Sequence, residues 1–170
     1  MTNKYRIINI REIAELSVIA AVLYGSKELM NVLPNIHITF VLMIITAVFY
    51  GWKAIYPVLV FVFLEIASFG FGLWSIMYLY IWPLGLCLIM LFRKNRSSVI
   101  WAIIAAFYGF AFGALCSIPV LFTSGFKAAA AYWISGIPFD LIHCVSNGVL
   151  TFILYKPLFM LMQKIKTAPK

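Results

Sequence analysis

Charge is scarce in this chain. Of 170 residues only five are acidic and 13 are Lys or Arg, so charged side chains make up 11%. A soluble globular domain carries about 25%, and so few charges cannot cover a water-facing surface. Cysteine is thin as well. Cys87, Cys116 and Cys144 all fall inside apolar stretches and show no C-x-x-C spacing. That excludes a disulfide framework and a four-cysteine zinc site, and the three read as small buried hydrophobes. There is no paired-histidine zinc motif, no glycine-rich phosphate loop and no Gly-x-Ser-x-Gly elbow. Asp140-x-x-His143 could be an acid–base pair, but it lacks a nucleophile. No catalytic residue and no metal site is assigned.

What is present is apolar. Hydrophobic residues make up 65% of the chain, and the mean hydropathy is +1.04. Disorder requires low hydrophobicity and is excluded. The expected class is an all-α integral membrane protein. The net charge of +8 does not point to nucleic acid, because the cations sit in short clusters between apolar blocks, as topology signals do. Lys4, Arg6 and Arg11 precede an apolar stretch in the manner of a secretory signal. Glu15 interrupts that stretch and further spans follow, so it reads as a first transmembrane helix.

Six apolar segments are expected, at about 13–33, 35–50, 54–69, 73–92, 99–122 and 134–160, forming one bundle and one domain over 1–170. Gly51-Trp52-Lys53 divides the second from the third. A single helix over 35–69 would be roughly 50 Å long at ~1.5 Å per residue, against a hydrocarbon core of ~30 Å. It would also place a cation at mid-bilayer, so two short helices joined by a turn are favoured. Placing the N-terminus inside puts eleven Lys and Arg on the inner side and only Lys27 and Lys127 outside. Both termini are therefore expected in the cytoplasm. No inverted repeat is visible.

Small residues four apart allow helices to approach closely. Segment one carries Ser17, Ala21 and Gly25 in that register, and segment five carries Ala105, Gly109, Gly113 and Ser117. Either stripe serves internal packing or docking of another membrane protein. Segment one is the better docking candidate, as an expected edge helix.

Ionisable groups inside a membrane are site hypotheses. In segment six Asp140, His143, Asn147 and Thr151 follow spacings of three, four and four, hence one helical face. That face should point into the bundle and never to lipid. Asp140 could instead cap a helix start, Asn147 could join helices, and His143 could bond to a ligand or coordinate a metal within one. Trp74 and Tyr78 share a face of segment four, with Tyr80 and Trp82 nearby, and Trp133 precedes segment six. Such aromatics serve as interfacial anchors or as pocket walls. Asn35, His37 and Thr39 fall at the outer turn after segment one. Glu65 pairs with Lys27 or Lys127, or reaches water.

With six spans, both ends inside, the stripe on segment one and the text Ser-Gly-Ile-Pro-Phe-Asp-Leu-Ile-His-Cys-Val-Ser-Asn-Gly over 135–148, the chain resembles the substrate-binding S components of energy-coupling factor transporters. The resemblance implies a vitamin-capturing subunit in the prokaryotic plasma membrane, without a cofactor of its own. Its implied partners are a transmembrane coupling protein and two cytoplasmic ATPases. By position it implies pocket residues Trp74, Tyr78, Asp140, His143 and Asn147, to which the sequence reading adds Asn35, His37 and Trp133. It implies docking through Ser17, Ala21 and Gly25, where the family's Ala-x-x-x-Ala is replaced by Ser-x-x-x-Ala-x-x-x-Gly. The cobalamin type is the first expectation for the substrate, with pyridoxine-like, pantothenate-like and queuosine-precursor ligands open. A stand-alone proton-coupled transporter using Asp140 and His143, a small membrane enzyme and a ligand-free scaffold are the competing readings.

Overall fold

A computed structural model describes residues 9–167. Those residues are almost entirely helical, with no strand among them. Helix α1 spans Ile10–Leu29, α2 Thr39–Tyr50, α3 Ile55–Phe69, α4 Leu73–Leu91 and α5 Ser98–Thr167. The Asn9 side chain starts α1 by accepting the Glu12 N–H at 2.8 Å. This satisfies one of the donors that every helix start leaves open.

Three stretches are long and apolar enough to cross a membrane: Thr39–Phe69, Leu73–Leu91 and Ser98–Thr167. α1 falls outside that set, since its 20 residues include Arg11, Glu12, Glu15, Lys27 and Glu28. Large apolar side chains are exposed all around the bundle, among them Phe63, Leu91, Phe107 and Phe122. Such an outer surface is consistent with lipid and unsuited to water.

The first of those stretches reverses direction between α2 and α3. Gly51, at φ 63°, ends α2 and opens the 3₁₀ turn Gly51–Ala54. Few side chains accept that backbone region, and glycine does so without strain. Ion pairs fix the geometry: Lys53 meets Glu12 at 2.7 Å, whereas Glu65 meets Lys27 at 2.6 Å. Glu12 and Lys27 stand ~22 Å apart along α1 at ~1.5 Å per residue. The chain therefore comes down through α2 to the Glu12 end and climbs back through α3. α2 is the central helix, with ten of its 12 residues buried, and it touches α1, α4 and α5. α1 buries only Leu16, Ala20 and Leu23, one face at helical spacing, and is an edge helix.

α5 is a hairpin of two arms. Gly125 (φ 83°, ψ 173°) interrupts its helical backbone. The arms 98–124 and 126–167 then pack antiparallel. Trp101 faces Tyr155 at 6.1 Å between ring centroids, and an added Cβ at Gly109 would lie 2.6 Å from the His143 carbonyl oxygen. The small-residue stripe of the first arm is thus spent on internal packing.

Several boundaries differ from expectation. Segment one ends at Leu29 rather than near Pro34, and α2 begins at Thr39 rather than at residue 35. The loop expected over 123–133 shrinks to a break at Gly125, and the helix runs on through Lys127 and the four alanines that follow. That alanine run has the highest intrinsic helix propensity available.

These contacts fix a prediction. Gly109→Ala should destabilise the protein by about 1–3 kcal/mol through overpacking. Gly25→Ala, whose Cβ would meet nothing within 4 Å, should be neutral or slightly stabilising. Thermal unfolding in detergent distinguishes the two.

Candidate functional site

All four members of the polar row are buried: Asp140, His143, Asn147 and Thr151. The row points into the bundle because the close approach of the two α5 arms leaves it no other side. At Gly113 there is no side chain, and a Cβ there would collide with the Asp140 carboxylate. Asp140 Oδ1 accepts the Gly113 N–H at 2.9 Å. Asp140 is therefore no helix cap, since it sits 15 residues beyond the break at Gly125 and bonds to the facing arm. Asn147 is buried with neither side-chain atom hydrogen-bonded among the described residues.

Space opens beside His143. A cavity of about 280 Å3 is lined by Lys27, the 30–37 segment, Tyr78, Phe112 and His143. The structure thus brings together four of the expected site residues: Asn35, His37, Tyr78 and His143. The His37 and His143 rings meet edge to face, 5.0 Å between centroids. Phe112 packs on His143 at 5.0 Å, and Trp82 lies 6.2 Å from His37. Asn35, at φ 57°, holds the entry segment to α5: its carbonyl accepts from the Ser146 hydroxyl at 2.9 Å. His37 Nδ1, His143 Nε2 and Trp82 Nε1 are all buried without a hydrogen-bond partner. Buried polar atoms are nearly always bonded, and leaving one unmade costs about 1–3 kcal/mol. Three such atoms lie in adjoining side chains here, and others lie on Thr39, Trp101, Asn147 and Tyr155.

Other expected residues lie elsewhere. Trp74 does not line the cavity; it buttresses Tyr78 edge to face at 5.4 Å. Trp133 is part of the second α5 arm and is 42% exposed, an outward aromatic of the interfacial kind. Asp140 and Asn147 are not among the residues that line the cavity. Ser17 and Ala21 are exposed and Gly25 is half-buried, and Ser17 and Ala21 border a groove shared with Tyr56, Val60 and Leu64 of α3. No group of three or more His, Cys, Asp or Glu gathers among the described residues.

Lys27 and Phe112 are among the lining residues that were not foreseen. Lys27 sits at the cavity with its ammonium on Glu65, and 3.8 Å from Glu28. Its signal was available, as a cation with acids nearby at one end of an apolar segment. Phe112 gave no signal, being one of 15 phenylalanines.

Glu65 is 2% exposed and Lys27 14%, so the ion pair lies largely out of water. Glu65→Ala alone should cost roughly 3–5 kcal/mol, while the double change Lys27→Met/Glu65→Leu should recover most of it. A double-mutant cycle on unfolding in detergent checks this. Comparison with family models, curated proteins and solved structures finds no match for this chain.

Proposed function

We propose that this chain is the substrate-binding subunit of an energy-coupling-factor-type importer, holding a small vitamin or related micronutrient in the His37–His143 cavity. The observation that carries the reading is the pair of buried, unpartnered imidazole nitrogens on one cavity wall. Aromatic walls with a few converging polar groups suit a π-rich ligand of low charge. The volume, about 280 Å3, lies at the lower edge of the ~300–1,000 Å3 range of small-molecule sites. A pyridoxine-sized or pantothenate-sized ligand suits it better than cobalamin does.

The bundle crosses the membrane six times, with both termini in the cytoplasm. Supporting this are the two hairpins and the eleven-to-two partition of Lys and Arg, which puts the Glu12 end inside and the cavity outside. The stripe Ser17, Ala21 and Gly25 on α1 docks the transmembrane coupling protein, and two ATPases drive uptake from the cytoplasm. The proton-relay reading is weaker, because Asp140 is bonded to Gly113 and stands off the cavity lining.

Purified full-length chain should bind one member of a vitamin panel in a calorimetric titration, and silence across the panel would overturn the reading. His143→Ala should weaken that binding at least about tenfold, about 1.4 kcal/mol, and leave assembly with coupling protein and ATPases intact. Ala21→Leu should do the reverse, since a bulky side chain holds helices apart. If both changes strike the same property, binding and docking faces are not separate.

A further inference from the structure

The five acidic side chains of the whole sequence are Glu12, Glu15, Glu28, Glu65 and Asp140. Glu28 and Glu65 attend Lys27, and Asp140 is buried against Gly113. Glu12 holds Lys53, and Glu15 holds both Arg11 and Lys166. No carboxylate side chain is left for the α4–α5 turn, where Arg93, Lys94 and Arg96 fall within four residues. Arg96 has an aromatic neighbour, its guanidinium 5.2 Å from the Phe159 ring centre. Arg93 lies against Gly51, whose added Cβ would come within 3.1 Å of the guanidinium. Three cations are thus gathered at one corner with no acidic partner among the described residues.

That corner is hollow. A cavity of about 630 Å3 is bounded by the 90–96 segment and Val48. A second, of about 510 Å3, runs up the outside between α4 and the first arm of α5, past Leu84, Leu88, Phe107, Ala111 and Leu115. Met90 and Leu91 line both, so the two adjoin. The upper cavity is walled by apolar side chains with one tyrosine, and Leu91 and Phe107 beside it are 80% and 66% exposed. From Leu84 to Leu91 it extends ~10 Å at ~1.5 Å per residue. An unneutralised cationic cradle beside an apolar groove is complementary to an anionic head joined to a hydrocarbon tail.

We propose that this corner is a binding site for an anionic phospholipid, its phosphate on Arg93, Lys94 and Arg96 and an acyl chain along the α4–α5 groove. Basic clusters just beyond membrane helices attract anionic lipids in this way. A soluble phosphate would use the cradle alone, and an acidic protein would leave the groove empty. The lipid satisfies both halves. The site lies at the opposite end of the bundle from the His37–His143 cavity and does not depend on the vitamin reading.

Native mass spectrometry of the full chain tests it, with phosphatidylglycerol and phosphatidylcholine of equal chain length. Phosphatidylglycerol should be retained at least about tenfold better, because each of the three basic residues attracts an anionic headgroup. R93Q/K94Q/R96Q should abolish that preference, and R93K/R96K, which keeps the charge should the triple variant fail to fold, should preserve it. Ala111→Trp should lower retention of long-chain phosphatidylglycerol by filling the groove. Equal retention of both lipids by the parent chain would overturn the proposal. So would displacement of the lipid by inorganic phosphate at matched concentration, or by an acidic peptide, which would assign the cradle to a soluble anion or to a protein.

Discussion

The fold depends on how closely the two arms of α5 can approach. Gly109 and Gly113 remove two side chains from the contact, so the second arm lies directly on the first. Only then does Asp140 reach the Gly113 N–H, and only then are Asp140, His143, Asn147 and Thr151 enclosed. In lipid, a polar row on the outside would have no partner at all. Close packing of glycine against backbone converts a costly row into an internal one. His143 then emerges where α5 parts from the 30–37 segment, and that parting is the cavity.

The few charges divide the molecule in a second way. At one end of α1, Glu12 and Glu15 gather Lys53, Arg11 and Lys166. At the other, Glu65 and Glu28 hold Lys27 beside the cavity. The Lys53–Glu12 and Lys27–Glu65 pairs tie the two ends of α3 to α1. With five acids and 13 bases, neutrality within the chain is impossible. Three of the surplus cations, Arg93, Lys94 and Arg96, fall at the α4–α5 turn, beside an apolar groove.

Much of this was legible from the sequence, for definable reasons. The Asp140-to-Thr151 spacing could mean only one helical face, and apolar surroundings dictated that it turn inward. Lys53 in the middle of an apolar run was too costly for a single span, so the hairpin at Gly51 followed. Close pairing of Gly109 and Gly113 was visible as a stripe, though not its partner. The failures are equally physical. Thr123-Ser124-Gly125 carries strong turn chemistry, which hid the alanine run behind it. Trp74 and Trp133 satisfy both anchor and pocket roles by composition, and only the tertiary arrangement separates them. Phe112 has no property that other apolar residues lack, and Lys27 was seen as an outer charge rather than as a wall. Pro34 suggested a helix end, whereas the chain leaves α1 at Leu29 and uses the next nine residues to cover the cavity.

The polar interior, the edge helix with its small-residue stripe and the cationic corner at the far end make three separate surfaces on one small bundle. The first is the heart of the account, and it is tested most directly by chemistry at His37 and His143. In a background lacking Cys87, Cys116 and Cys144, the pair His37→Cys/His143→Cys should be joined rapidly by a short, water-soluble thiol cross-linker in the folded protein, while Asn147→Cys in the same background stays unlabelled. A pair that stays unjoined, or that reacts only with membrane-permeant reagents, would contradict a water-reached chamber between α5 and the 30–37 segment.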